Sequence, residues 1–197
     1  IFPSRLHSRL KEFMETHWYF SDTQNGFRAM RSYLDHIYSL TSIIRIRKEN
    51  KLSTYCCFVD FSKAYDSINH SLLWYKILYF GVHGKFYNSL RTLYANIQCC
   101  IRVPGIGETE WVEITSGVRQ GDNLSPTIFA LYVNDLASEL EGLGVKIDGV
   151  CVGILMYADD IVLILETEEE LQTMIDKVFG WCHRWHMTVN MEKTRIQ

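Results

Sequence analysis

The chain has 197 residues, of which 47% are hydrophobic and 22% are charged. This composition predicts a folded domain with a core and excludes disordered, collagen-like and low-complexity proteins. The formal net charge of -3 argues against a small basic protein that binds nucleic acid by charge alone. The charge is uneven, because residues 1–52 carry a net of +4 and residues 53–197 a net of -7.

The first half of the chain alternates helical and strand-like patterns. Apolar periodicity predicts helices over residues 4–17 and 27–48. Residues 54–60 form an apolar, β-rich run that ends in an acid, which predicts a buried strand. Two further helices are expected over 70–80 and 84–95. The second predicted helix has an apolar stripe at helical spacing, formed by Tyr33, Ile37, Leu40 and Ile44.

In the second half, two strands are expected near 97–103 and 110–115, joined by a turn at Pro104–Gly107. Pro126 marks the first position of a helix that reaches about residue 140. One face of this helix is expected to be apolar, through Phe129, Tyr132, Val133 and Leu136. Later in the chain, Thr167 and Glu170 have the spacing of a capping box at a helix start.

The six cysteines lie in apolar stretches, without a CxxC pair or a histidine at zinc-ligand spacing. They are predicted to be small buried hydrophobic residues in a reducing, intracellular environment. The longest apolar stretch, near 150–157, is far shorter than the roughly 20 residues of a membrane helix. No association with a membrane is therefore predicted.

Residues 153–165 contain two apolar runs around Ala158-Asp159-Asp160, which predicts a β-hairpin with adjacent acids at its turn. Next to a buried core, adjacent carboxylates repel one another and lose solvation, and a bound cation would remove that cost. The alternative is an ordinary solvated turn, because aspartate is a favoured turn residue. The hairpin alone leaves both interpretations open.

A second acid favours the cation. Asp60 ends the predicted strand 54–60, and if that strand lies beside the hairpin, Asp60 and Asp159 can share oxygen-ligated cations with Asp160 close by. Carboxylate oxygens suit Mg²⁺, which takes its remaining ligands from water and substrate phosphates. Two such ions about 4 Å apart support in-line phosphoryl transfer. The pattern therefore indicates nucleotidyl-transfer chemistry.

Five sequence blocks together resemble the reverse transcriptases of non-LTR (LINE-type) retrotransposons. They occur in the order of that family and span about residues 24–195, namely Gln24–Arg28, Phe58–Asp66, Gly117–Pro126, Tyr157–Asp160 and Val189–Thr194. Group II intron maturases and retron polymerases are related enzymes, and a C-terminal region specific to either would distinguish them.

The resemblance implies an α+β fold, the palm of a right-hand polymerase, in which an antiparallel sheet packs against helices. Partial fingers are expected over 1–52, the first catalytic strand of the palm over 53–69, a connection between fingers and palm over 70–113, and the rest of the palm over 114–197. The thumb is expected to be absent, and the thumb and an endonuclease are expected elsewhere in the full-length protein.

The resemblance also implies the catalytic residues. Asp60 and Asp159 would hold two Mg²⁺ ions, for which Mn²⁺ can substitute, and Asp160 completes the metal site, mainly through local geometry. Lys193 matches a lysine that the family uses as a proton donor to pyrophosphate or as a charge near the triphosphate. The alternative for Lys193 is an exposed surface lysine.

Nucleotide-binding residues follow from the same resemblance. Tyr65 matches the aromatic gate that excludes a 2′-hydroxyl, and its alternative is a core aromatic. Gln120 and Gly121 offer an amide and a backbone without Cβ beside the incoming nucleotide. Phe61 is placed with these residues. Arg28 either reaches phosphate or supports the fingers.

The function implied is an RNA-directed DNA polymerase core that adds deoxynucleoside triphosphates to a DNA primer on an RNA template during retrotransposition. Its location is expected to be intracellular, in cytoplasm and nucleus. A second hypothesis is a retroelement-derived remnant that folds or binds nucleic acid without catalysis.

Overall fold

The computed structural model describes residues 2–197, the side chain of Phe2 excepted. Its helices and strands follow in the chain order α1 (Phe2–Thr16), α2 (Tyr33–Glu49), β1 (Tyr55–Val59), α3 (His70–Tyr79), α4 (Gly84–Tyr94), β2 (Gln98–Cys99), β3 (Arg102–Val103), β4 (Gly107–Glu108), β5 (Val112–Glu113), α5 (Leu124–Val133), α6 (Asp135–Glu139), β6 (Val145–Ile147), β7 (Val150–Val152), β8 (Ile154–Tyr157), β9 (Asp160–Leu165), α7 (Glu168–Trp185) and β10 (Arg195–Ile196).

The central sheet has four antiparallel strands in the order β10-β1-β9-β8. Strands β8 and β9 form the predicted hairpin, with Tyr157 opposite Asp160. Strand β1 lies along β9, with Val59 opposite Ile161. The carboxyl end of β1 therefore meets the turn of the hairpin, and the predicted strand and hairpin are confirmed as neighbours.

Helix α5 lies at the centre of the core. Nearly all of its residues are buried, and none is charged. The helix begins at Leu124, two positions before Pro126, and ends at Val133, where Asn134 separates it from α6. The expected continuous helix to about 140 with one apolar face is thus wrong. The observed helix α5 is instead buried around its whole circumference, because other elements pack against it on every side.

Asn134 lies between α5 and α6 and keeps helical backbone angles, with φ -61° and ψ -37°. Its side chain donates to the backbone oxygen of Tyr19 at 2.7 Å and accepts from the backbone nitrogen of Ser21 at 2.9 Å. Asn134 is itself buried, so these bonds satisfy a polar group that would otherwise be costly. They join the end of α5 to the loop after α1.

Helix α7 covers one face of the sheet with the side chains of Leu171, Met174, Val178 and Trp181. The hydroxyl of Thr167 accepts from the backbone nitrogen of Glu170 at 3.2 Å, as the capping pattern predicts. The carboxylate of Glu170 accepts instead from Glu166 N at 3.2 Å. Only half of the predicted capping box therefore forms.

Helix α2 packs against the opposite face of the sheet. It begins at Tyr33 rather than at residue 27, because Ser32 and Asp35 form a capping box there. Its inward-facing core residue is Ile43, which belongs to a small cluster with Cys56, Val145, Leu155 and Ile164. Three of the four residues of the predicted stripe are more than 40% exposed, and only Leu40 packs on this cluster.

Residues 98–113, here called the arm, form the predicted hairpin in interrupted form. Two short ladders pair β2 with β5 and β3 with β4. All four strands are exposed, and no other element of residues 2–197 buries their side chains.

The cysteines divide into two groups. Cys56, Cys57 and Cys182 are buried as predicted, whereas Cys99 and Cys151 are exposed and Cys100 is half-buried. Cys99 lies in the exposed arm, and Cys151 pairs with the exposed Lys146 on the face of the hairpin β6–β7 opposite to the buried Val145. Within residues 2–197, no helix is both long and apolar enough to cross a membrane.

Candidate active site

Three carboxylates meet at one edge of the central sheet. Asp60 directly follows β1, Asp159 lies in the two-residue turn between β8 and β9, and Asp160 opens β9. The pairing of Val59 with Ile161 places Asp60 and Asp160 at the ends of neighbouring strands. Two distant parts of the sequence thus contribute acids to the same place.

Asp60 is fixed through its backbone. Its carbonyl accepts from Asn190 N at 2.7 Å, and its nitrogen donates to the hydroxyl of Thr194 at 3.3 Å. Its Oδ2 atom is buried and has no hydrogen-bond partner. The nearest cation is the exposed ammonium of Lys193, 3.8 Å from that oxygen. An unsatisfied buried carboxylate oxygen is costly, and a cation ligand removes the cost.

The acids influence one another. Partial burial raises the pKa of Asp160, and the nearby charges of Asp159 and Asp60 raise it further, while Lys193 acts in the opposite direction. Like charges in one place disfavour the ionised form, as expected where carboxylates are gathered without a bound cation. This gathering of like charges is what the cation interpretation of the turn requires.

The carboxylates are an incomplete ligand set. Across residues 2–197, no three His, Cys, Asp or Glu side chains come close enough to hold a metal ion by themselves. Mg²⁺ usually binds through one or two carboxylates and completes its shell with water and substrate phosphates. The unpartnered oxygen of Asp60 and the acids of the hairpin fit such a partial site.

A cavity of about 840 Å³ is lined by Asp159 but not by Asp60 or Asp160. Four residues predicted for the site line it, namely Asp159, Tyr65, Gln120 and Gly121. Ten other residues also line it, and among them are His7, Lys11, Phe27 and Lys63, to which the sequence analysis assigned no role.

Tyr65 both packs and lines the cavity. Its ring stacks on Phe129 with the centroids 5.0 Å apart. Burial and the charge of Asp159 raise the pKa of Tyr65 to about 12, so the ring stays neutral. The ring thus lines the cavity, as the gate interpretation requires, and packs on the core, as its alternative requires.

Gln120 and Gly121 also line the cavity. Gln120 Nε2 donates to Asp66 Oδ1 at 3.1 Å. Gly121 has a φ of 84°, and nothing lies within 4 Å of the place where a Cβ would stand. The glycine is thus required by the backbone turn and leaves open space in the cavity. Asp122 accepts from Leu124 N at 3.1 Å and so caps α5.

Phe61 and Arg28 are not among the residues that line the cavity. Phe61 is buried and packs near Trp181, with ring centroids 6.2 Å apart. The guanidinium of Arg28 donates to both carboxylate oxygens of Glu15, at 3.1 and 2.9 Å, and to the carbonyl of Ser21 at 2.8 Å. These contacts favour a core role for Phe61 and the supporting role that was the alternative for Arg28.

Three of the additional lining residues carry basic side chains, and two others, Asp66 and Asp122, are acids. His7 and Lys11 lie four positions apart on α1, a spacing that places them on one helix face. Lys11 Nζ donates to Phe27 O at 2.7 Å, and burial and Lys11 lower the pKa of His7. Lys63 is exposed three residues after Asp60. The helical spacing of His7 and Lys11 was visible in the sequence, but nothing there indicated that α1 reaches the cavity.

The sequence profile of the reverse transcriptase (RNA-dependent DNA polymerase) family matches residues 4–197. The chain belongs to this family. Members are generally dependent on a divalent metal. The resemblance seen in the five blocks is thereby confirmed.

Individual relatives of this reverse transcriptase chain come from non-LTR retrotransposons. A Pol polyprotein from the type-2 retrotransposable element R2DM of Drosophila melanogaster is 28% identical over 86% of the chain. One from the type-1 element R2 of Popillia japonica is 26% identical over 96%, and a probable RNA-directed DNA polymerase from transposon BS of D. melanogaster is 27% identical over 95%. The chain covers only 16%, 26% and 21% of these relatives.

Solved telomerase structures share the fold of this chain. Telomerase from Candida albicans, in complex with a fragment of telomeric RNA, covers 98% of the chain with a TM-score of 0.72 at 12% identity. Apo telomerase from Candida tropicalis, truncated from its C-terminal domain, also covers 98%, with a TM-score of 0.68 at 18% identity. The chain covers 34% and 40% of these two structures. The α+β right-hand polymerase palm predicted from the sequence is confirmed.

Proposed function

We propose that the chain is the catalytic palm and part of the fingers of an RNA-directed DNA polymerase. It would add deoxynucleoside triphosphates to the 3′-hydroxyl of a DNA primer paired to an RNA template, during retrotransposition. The observation that carries this proposal is the meeting of Asp60, Asp159 and Asp160 at one sheet edge, beside a cavity of nucleotide size. The names of the R2 and BS relatives support the template and product assigned here.

Within this proposal the central sheet, α5 and α7 belong to the palm, over residues 53–69 and 114–197. Residues 1–52 belong to the fingers, and 70–113 connect the two. The endonuclease and thumb would lie in other parts of the full-length protein. The coverage of only 16% to 26% of the curated relatives leaves room for such regions.

Asp60 and Asp159 would hold two Mg²⁺ ions, with Asp160 shaping the site. When bound, the ions neutralise phosphate charge and activate the attacking oxygen. The protein orients the reactants: the primer 3′-oxygen attacks the α-phosphorus, and the bond from that phosphorus to pyrophosphate breaks. Lys193, 3.8 Å from Asp60, would donate a proton to the departing pyrophosphate.

The cavity would select and position the nucleotide. The Tyr65 ring, held by its stacking on Phe129, would collide with a ribose 2′-hydroxyl and so favour deoxynucleotides. Gln120 and Gly121 would contact the base and sugar. The basic side chains of Lys11 and Lys63 would face the triphosphate, whose charge they complement.

Primer extension on an RNA template tests the proposal, in the natural polypeptide that carries this chain. Asp159→Asn should lower the extension rate about 1000-fold or more, equivalent to about 4 kcal/mol. Asp176→Asn is the matched control, because Asp176 is exposed on α7 and should leave the rate unchanged. An unaltered rate in Asp159→Asn would refute the metal assignment, and inactivity of the unmodified protein would favour the remnant.

A further inference from the structure

The turn that carries Asp159 has a backbone conformation that its sequence does not favour. Ala158 has a φ of 58°, in the left-handed region that residues with a Cβ disfavour. Two-residue hairpin turns usually meet this requirement with glycine or asparagine. The position of the Asp159 carboxylate depends on this peptide, so something must hold Ala158.

Gln24 supplies that support. Ala158 N donates to Gln24 Oε1 at 3.0 Å, and Gln24 Nε2 donates to Ala158 O at 3.4 Å. Gln24 is completely buried. One side-chain amide thus binds both polar groups of a residue 134 positions away in the sequence. Ala158 is buried as well, so loss of these bonds would leave its backbone groups without partners.

Gly26 makes the close approach possible. A Cβ built on Gly26 would lie 2.2 Å from Ala158 N, a distance that no side chain can adopt. Gly26 N also donates to Gln24 Oε1 at 2.7 Å. This bond turns the amide oxygen toward Ala158 N and defines which end of the Gln24 amide faces each group.

The segment 23–26 is itself fixed against the sheet. Met156 N donates to Thr23 O at 2.8 Å, and Asn25 N donates to Met156 O at 2.9 Å, which adds a short pairing beside β8. Behind the segment, Arg28 is held by Glu15 of α1. The support of the turn therefore continues from the hairpin to the first helix.

We propose that Gln24 is a positioning residue for Asp159, acting through Ala158. It holds the turn in its left-handed conformation and so fixes the Asp159 carboxylate in the orientation that binds the divalent cation. This inference rests on the proposed polymerase function. It assigns a role to the first of the five sequence blocks, for which only Arg28 was considered.

The test is a double-mutant cycle between Gln24→Leu and Ala158→Gly. Glycine adopts a positive φ without steric cost, so Ala158→Gly lessens the need for Gln24. We expect Gln24→Leu to lower kcat of primer extension by about tenfold to 100-fold, with a smaller change in KM for the nucleotide. In the Ala158→Gly background the loss should shrink. Equal losses in both backgrounds would overturn the proposal, because they would show an effect on the fold alone.

Mn²⁺ affinity, measured by electron paramagnetic resonance without nucleotide, gives a readout independent of turnover. Gln24→Leu should weaken it by about tenfold. Unchanged affinity would contradict the positioning role. Gln24→Glu keeps the oxygen that accepts from Ala158 N but replaces the donor to Ala158 O by an acid in a fully buried position, so it should also lower kcat and Mn²⁺ affinity. If Gln24→Leu does not fold, the isosteric Gln24→Glu variant takes its place in the test. A kcat and a Mn²⁺ affinity equal to those of the wild type would then overturn the proposal.

Two controls separate this inference from the proposed function. Gln98→Leu alters an exposed glutamine of the arm and should change neither kcat nor Mn²⁺ affinity. If Asp159→Asn abolishes extension while Gln24→Leu matches the wild type, only the positioning role fails. If Asp159→Asn extends primers normally, the proposed function itself fails.

Discussion

The hairpin β8–β9 and the arm are both antiparallel hairpins, yet they differ in how far their residues are buried. The hairpin is apolar on both strands, and its residues are buried between α7 on one face and α2 on the other. The arm has two-residue strands that are exposed throughout. Two of the three acids of the candidate site, Asp159 and Asp160, lie on this hairpin, where the backbone is held from several sides, as a precisely positioned site requires.

The difference is largest for core packing. Leu163 of β9 is fully buried, whereas Ile101 of the arm is 67% exposed. Leu163→Ala should lower the free energy of unfolding by about 3 to 5 kcal/mol, through lost burial and a cavity. Ile101→Ala should change it by less than about 0.5 kcal/mol. Urea denaturation of both variants measures the contrast, and similar losses would mean that the arm has a hidden packing partner.

Lys76 is a charged residue buried in the same core as the apolar Leu163. Its ammonium is buried, donates to Asp135 Oδ1 at 2.6 Å and to the carbonyl of Tyr132, and lies 3.7 Å from the ring centroid of Trp185. Lys76→Met should destabilise the protein by about 3 kcal/mol at pH 7, because it removes one partner of a buried pair.

The pH dependence of that loss is a second measurement. Burial lowers the pKa of Lys76 from 10.5 to about 8, against the opposing effect of Asp135. Below pH 8 the folded and unfolded chains both hold the proton. Between pH 8 and 10.5 the unfolded chain binds more protons, so this group's contribution to stability rises with pH. The difference between wild type and Lys76→Met should therefore increase from pH 7.5 to 9.5, and a constant difference would contradict the lowered pKa.

Two ion pairs differ in burial in the same way, and their expected contributions to stability are smaller. Arg28 is only 5% exposed in its pair with Glu15, whereas Arg102 of the arm is 79% exposed in its pair with Glu108. Glu15→Gln should cost about 2 kcal/mol of unfolding free energy, because it weakens a charged hydrogen-bond pair around a buried guanidinium. Glu108→Gln should cost less than about 0.5 kcal/mol. Thermal denaturation at low and high salt tests both, and equal costs would remove the distinction.

The smallest expected effect concerns nucleotide selection. Tyr65→Val should raise the ratio of kcat/KM for ribonucleotides over deoxynucleotides by about tenfold, or 1.4 kcal/mol, because the ring no longer blocks a 2′-hydroxyl. Tyr38→Val, at a 72% exposed position of α2, is the control and should leave the ratio unchanged. If Tyr65→Val leaves this ratio unchanged, Tyr65 does not select the sugar and only packs in the core.

Elements defined by local patterns could be predicted. The strand ending at Asp60 and the hairpin around Asp159 were visible because apolar runs ended at acids. Their adjacency was a condition of the expected cation site, and the pairing of β1 with β9 meets it. Helix α7 was indicated by Thr167. The contacts of Asn134 were not visible, because the backbone groups that bind its side chain belong to Tyr19 and Ser21, more than 100 positions away.

The same distance limits what the sequence says about the site. The burial of Phe61 depends on Trp181, and the support of the hairpin turn depends on Gln24. In each pair the two residues are more than 100 positions apart. Periodicity and spacing describe neighbouring residues only, so they could not predict either contact. The exposure of most of the α2 stripe has a related cause, since helical spacing defines a face but not what covers it.

The pairing of β1 with β9 also bears on how the protein folds. About 100 residues separate Asp60 from Asp159, and closing so long a loop slows folding relative to local helix formation. Helices α3 and α4 can form from nearby residues, whereas the carboxylates come together only when the sheet closes. We therefore expect divalent-ion affinity to appear late in refolding, after most of the helical circular dichroism has returned.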